Sequence, residues 1–149
     1  MKTENEFNAW LGNNIRKLEP HGFFLLKVAE KYHIGISDFF IWHGGSCAAI
    51  ETKFVREMPK KNGKVLKHEF DGKQVTFLHR VANTGNPAWG LVAIHEKKKI
   101  VAVPYRDIPA DGNWCGDVPD NFRSFKYDEI PSLLKWVFGG YHNWGPQYG

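Results

Sequence analysis

Two apolar runs, Ile36–Trp42 and Cys47–Phe54, flank the tetrapeptide His43-Gly44-Gly45-Ser46. No other stretch constrains the fold as strongly. Paired glycines supply the positive φ that a tight turn requires, so the runs are expected to fold back on each other as antiparallel strands. A turn centred on Gly44-Gly45 sets His43 opposite Ser46, Trp42 opposite Cys47 and Asp38 opposite Glu51. Opposite residues share a face of the sheet, and Lys53, two positions beyond Glu51, projects from that same face. Phe39, Ile41, Ala48 and Ile50 line the other face, while Phe40, Trp42, Cys47 and Ala49 continue the carboxylate face as apolar surface. Asp38, Glu51 and Lys53 thus emerge together at the end away from the turn.

Like charges directly opposite in a sheet are destabilising, here by about 3 kcal/mol for ~5 Å and an effective dielectric near 20. Two arrangements would offset the repulsion. Lys53 could neutralise one carboxylate in a structural ion pair, or a divalent cation could sit between the two acids and leave Lys53 to act on substrate or water. A one-residue bulge would undo the register altogether. A hard ion such as Mg2+ takes one or two carboxylates and fills its shell with water and substrate phosphate, and the backbone carbonyl of Thr52 could add an oxygen. Such an ion polarises a phosphoryl oxygen and lowers the pKa of a bound water. An ammonium beside it stabilises developing negative charge. These parts suit phosphodiester hydrolysis.

Around the hairpin, the chain reads as one domain over residues 1–149. It is 42% apolar and 15% aromatic, which excludes a disordered chain. No apolar run approaches the ~18 residues of a membrane span. No apolar segment follows Met1–Glu6, so a signal peptide is not expected. Cys47 and Cys115, without zinc-finger or C-x-x-C spacing, point away from a disulfide framework and toward a reducing, cytoplasmic setting. The net charge of +4 permits a polyanionic partner.

Residues 3–18 carry Phe7, Trp10, Leu11, Ile15 and Leu18 on one helical stripe, with Thr3 and Glu6 as capping box. Phe23–Val28 is a continuous apolar run and reads as a buried strand. Val55–Asp71 is polar and basic and reads as a loop. Gly72–Thr84 has helical spacing closed by Gly85, and Trp89–His95 with Ile100–Tyr105 form a second hairpin around Glu96–Lys99. The pattern weakens after Pro109, apart from a short helix over Ile130–Phe138. Helix, three strands, helix, two strands and a short helix predict an α/β (α+β) domain with a central mixed sheet flanked by helices.

Gly35-Ile36-Ser37-Asp38, the hairpin turn and Ile50-Glu51-Thr52-Lys53 resemble the PD-(D/E)xK nuclease superfamily, with Ser37 where the family name has proline. The resemblance implies a restriction-endonuclease-like core in which Asp38 and Glu51 bind Mg2+ or Mn2+ and Lys53 assists the attacking water. Three further stretches resemble the family. Glu4-x-x-Phe7-x-x-Trp10-Leu11 resembles its opening helix, whose acid reaches the metal, and Glu4 lies nearer the apolar stripe than Glu6. His21–Lys27 resembles the following strand of Holliday-junction resolvases. Gln74, with its neighbour Lys73, resembles a polar position on the helix after the E-x-K strand, and Gly85–Ile94 resembles the next segment of RecU-like resolvases and virus-type replication-repair nucleases. The resemblance spans about residues 4–105, leaving an aromatic-rich extension over about 110–149. It implies a homodimeric, phage- or RecU-like endonuclease acting on branched DNA. A different replication-repair or restriction-like nuclease, or a non-catalytic nucleic-acid-binding domain, are the alternatives.

Lys60, Lys61, Lys64, Lys67 and His68 follow the E-x-K strand and, with Lys73, are the candidate phosphate contacts on DNA; a solvated loop is the plainer reading. Arg80 and Lys97–Lys99 read as solubilising charge. Trp114, Trp136, Tyr141, Trp144 and Tyr148 are expected to pack rather than stack on bases. His43 and His79 are expected at a turn and on a helix surface, and Cys47 as a buried, inert thiol. The histidines lack zinc spacing, and Gly44-Gly45 lacks the Lys-Ser/Thr of a phosphate-binding loop.

Overall fold

Thr3 opens the first helix in the computed structural model, which describes residues 1–28, 35–57, 70, 72–108 and 122–140. Helix α1 spans Glu4–Arg16, and the Thr3 side chain accepts the Glu6 amide. Glu6 in turn accepts the Lys2 amide, one residue earlier than an ideal capping box. Phe7, Leu11 and Ile15 are buried, each stabilising by roughly 1.5–3 kcal/mol. Gly22, at φ 89°, ends the turn that follows.

Six strands form one sheet in chain order: β1 (Phe24–Lys27), β2 (Phe39–His43), β3 (Ser46–Val55), β4 (Ala88–Ile94), β5 (Lys99–Pro104) and β6 (Arg123–Lys126). All neighbours are antiparallel except β3 and β4, which are parallel and joined through helix α2 (Gly72–Ala82). A parallel pair needs such a crossover. The hairpin register is the expected one, from His43 opposite Ser46 to Phe39 opposite Ile50. No bulge interrupts it.

One sheet face packs on α1 and helix α3 (Ile130–Lys135), burying Phe39, Ile41, Ala48, Ile50, Leu91, Ile100 and Leu133. The other packs on α2 through Ala49, Val75, Leu78, Val92 and Val101. Strand β3 therefore sits in the middle of three layers, which brings the polar residues of its second half into the protein interior.

Three local expectations change. β1 is an edge strand buried on one side only: Phe23 and Leu25 point inward, whereas Phe24 and Leu26 are 54% and 48% exposed. A continuous apolar run does not say whether both faces are covered. Cys47 is only half-buried and lines a groove with Phe40, Phe77, Arg80, Val81, Thr84 and Asn86. Its thiol pKa is nonetheless raised by burial. β6 had no sequence signal, because Phe125 alone of its residues is buried. His43 ends β2, stacked at 4.0 Å on Phe23, and Trp136 is partly buried with Arg123 over its ring. No described helix is long and apolar enough to cross a membrane.

Candidate active site

Asp38 is the residue before β2, held in line by the Val28 amide, which donates to its carbonyl. Its side chain crosses to β3. Oδ2 accepts the Thr52 backbone amide at 2.9 Å and lies 3.0 Å from the Thr52 hydroxyl. The carboxylate is thus held against one residue, by its backbone amide and beside its hydroxyl.

Glu51 lies on β3 with 3% of its surface exposed. Gln74, in the first turn of α2, donates from Nε2 to Glu51 Oε1 at 2.7 Å. Glu51 Oε2 is buried with no hydrogen-bond partner. Its carboxyl pKa is pushed up to about 10, first by burial, then by the charge and adjacent carboxyl of Asp38 and by the charge of Glu4, with Lys53 opposing the rise. A carboxyl in this setting is protonated at neutral pH unless a cation replaces the proton.

Lys53 is also buried, its Nζ 5.5 Å from the centre of the Phe70 ring. Its charge acts to lower the Glu51 pKa, while the hydrogen-bond donor at Glu51 Oε1 is Gln74. Glu4 stands in the first turn of α1, where its charge reaches Glu51, whereas Glu6 is exposed and engaged with Lys2. Lys73 is an exposed neighbour of Gln74 on α2, packed over Gly35. Lys60, Lys61, Lys64, Lys67 and His68 lie outside the described residues, as do Trp114, Tyr141, Trp144 and Tyr148.

Among the described residues, no group of three or more His, Cys, Asp or Glu side chains is close enough to hold a metal ion. The donor set nevertheless fits a hard divalent ion that relies on two carboxylates and solvent. An acid whose buried oxygen has no partner, beside a second acid pinned by neutral donors, is the arrangement such an ion completes. Ser37 Oγ, next to Asp38, is the other buried side-chain N or O atom without a partner among the described residues.

Two residues escaped the sequence reading. Asn8 is 5% exposed and lies 2.6 Å from the Thr52 hydroxyl. Its signal was a polar residue one turn after Glu4, on the buried side of α1. Phe70 closes over Lys53 from far along the chain, and nothing in spacing pairs the two.

No family model matches the chain, and no curated protein is found to be similar to it. Among solved structures, it is similar to Hjc, a Holliday junction resolvase of the archaeal hyperthermophile Archaeoglobus fulgidus. The TM-score is 0.54 and the identity 17%, over 85% of this chain and 98% of that one. The likeness is one of fold. It bears out the α/β architecture, a mixed sheet of the restriction-endonuclease-like type flanked by helices.

Proposed function

We propose that this chain is a divalent-metal-dependent DNA endonuclease, a single cytoplasmic domain that cuts branched DNA of the Holliday-junction type. The observation that carries the reading is the buried Glu51 carboxyl, one oxygen unpartnered, beside the half-buried Asp38, in a fold similar to that of a resolvase.

Asp38 and Glu51 would hold Mg2+, with Mn2+ as a substitute and the Thr52 carbonyl as a further ligand. When bound, the ion supplies Lewis-acid activation of a phosphoryl oxygen and a more acidic water. The chain's own groups do the rest. Thr52 fixes the rotation of Asp38, and Gln74 anchors one oxygen of Glu51, leaving the other without a protein partner. Glu51 would hold the cation as a carboxylate, so that binding the ion and keeping the proton are alternatives at this side chain. Lys53, held dry against Phe70, sets an ammonium where negative charge develops on phosphate. Glu4 adds negative charge that favours the cation. Lys60, Lys61, Lys64, Lys67, His68 and Lys73 would contact backbone phosphates and make binding salt-dependent.

A four-way junction presents two symmetry-related strands, and each chain offers one such site, so the working unit is a homodimer. Phe24, Leu26 and Trp42, the last 41% exposed, form an apolar surface at the β1 edge. An uncovered apolar edge strand invites pairing, and a second copy of this chain is the occupant we assign to it.

The test is incubation of a synthetic four-way junction, a flap, a nicked duplex and a supercoiled plasmid with Mg2+, Mn2+ or EDTA, using wild type and Glu51→Gln. Junction cutting that disappears with EDTA and falls at least 100-fold in Glu51→Gln is expected. Equal cutting of flaps and nicks would replace junction selectivity with a broader repair nuclease. Salt-sensitive binding without cleavage in either metal would leave a binding domain only.

A further inference from the structure

We infer that Asn8 is a positioning residue that acts through Thr52 on Asp38. The inference deepens the nuclease reading and rests on it for its consequence, though not for its geometry.

Asn8 occupies the inward side of α1 between Phe7 and Leu11, and Thr52 is fully buried beneath it. An amide in such a place is costly unless hydrogen-bonded, and its partner is the Thr52 hydroxyl, 2.6 Å from Oδ1. That hydroxyl also lies 3.0 Å from Asp38 Oδ2. A hydroxyl has one proton, and both an amide oxygen and a carboxylate can only accept. The two contacts compete as long as Asn8 presents its oxygen. A half-turn of the amide, which exchanges groups of nearly the same shape, resolves the competition. Asn8 Nδ2 then donates to Thr52 Oγ1, and Oγ1 donates to Asp38 Oδ2.

In that orientation the Thr52 hydroxyl accepts from Asn8 and donates to Asp38, and Asp38 Oδ2 receives both the hydroxyl and the backbone amide of Thr52. The carboxylate cannot rotate without breaking both. Helix α1 thereby touches the site twice in successive turns: Glu4 sends its charge to Glu51, and Asn8 aims Thr52 at Asp38. Docking of α1 and readiness of the first acid become one event.

The test uses the full chain in two measurements. In metal-free protein, the Asn8 Nδ2 protons are expected to resist solvent exchange in amide NMR spectra. They should move toward free-amide positions in Thr52→Val, which keeps shape and the backbone N–H but loses the hydroxyl. Mn2+ affinity, followed by electron paramagnetic resonance, should weaken about 10-fold in Thr52→Val and about 3-fold in Asn8→Leu, and return to near wild type in Thr52→Ser. Freely exchanging Asn8 protons overturn the inference. So does Thr52→Val that binds Mn2+ like wild type while melting lower, for then Asn8 and Thr52 only fasten helix to sheet. A wild type that binds no Mn2+ while its Asn8 protons are protected contradicts the nuclease reading instead, leaving the Asn8–Thr52 contact intact.

Discussion

Gln74 Nε2 donates to Glu51 Oε1 at 2.7 Å, which leaves the buried Oε2 as the open valence of the site. A neutral amide grips one oxygen where a lysine or arginine would have neutralised the whole group. The acid therefore keeps its demand for either a proton or a cation.

The first consequence concerns stability. The folded pKa of Glu51 is about 10, above the ordinary 4.5. The folded state accordingly binds a proton that the unfolded chain releases above pH 4.5. The stabilisation is full below that pH and is lost as pH rises toward 10. Removing the acid should therefore help the metal-free protein most at high pH. Thermal unfolding in EDTA is expected to show Glu51→Gln more stable than wild type by about 1–3 kcal/mol at pH 8, with the advantage shrinking toward pH 5.

Metal binding should be linked to the same proton. A ligand that must deprotonate ties affinity to pH. Calorimetry with Mn2+ in buffers of different ionisation enthalpy is expected to reveal release of about one proton at pH 7.5, and tighter binding at pH 8.5 than at pH 6.5. Gln74→Leu should lessen affinity by several-fold without changing the sign of that dependence.

The packing over Lys53 makes a third test. A Cβ on Gly90 would stand 2.8 Å from the Phe70 ring, and Phe70 is itself buried. Gly90→Ala must push the ring from its place beneath the Lys53 ammonium, at a cost of about 1–3 kcal/mol for overpacking. Chemical denaturation should read that loss, and kcat should fall more than KM for DNA rises.

The β1 edge gives a fourth. Sedimentation of the wild type is expected to give a dimer, and Phe24→Glu with Trp42→Glu a folded monomer that still binds Mn2+. A wild type that sediments as a monomer at tens of micromolar would remove the second copy from the account.

What was legible beforehand follows from how local each signal is. The β2–β3 register could be read because Gly44-Gly45 fixes the turn and side chains alternate with a strict period of two. Glu4 stood out from Glu6 by helical angle, and in the structure its charge is the one felt at Glu51. The exposure of Phe24 and Leu26 was not legible, since an apolar run is the same whether or not a layer covers it. β6 was hidden because a single inward Phe125 makes no pattern. Asn8 and Phe70 depend on which helix and which loop end lie against β3, and that is decided only when the layers pack.

The most direct measurement is anomalous X-ray scattering from a crystal soaked in Mn2+. One strong peak is expected between the Asp38 and Glu51 carboxylates, absent in Glu51→Gln. A map without a peak there, with Lys53 instead bonded to Glu51, would contradict the proposed metal site.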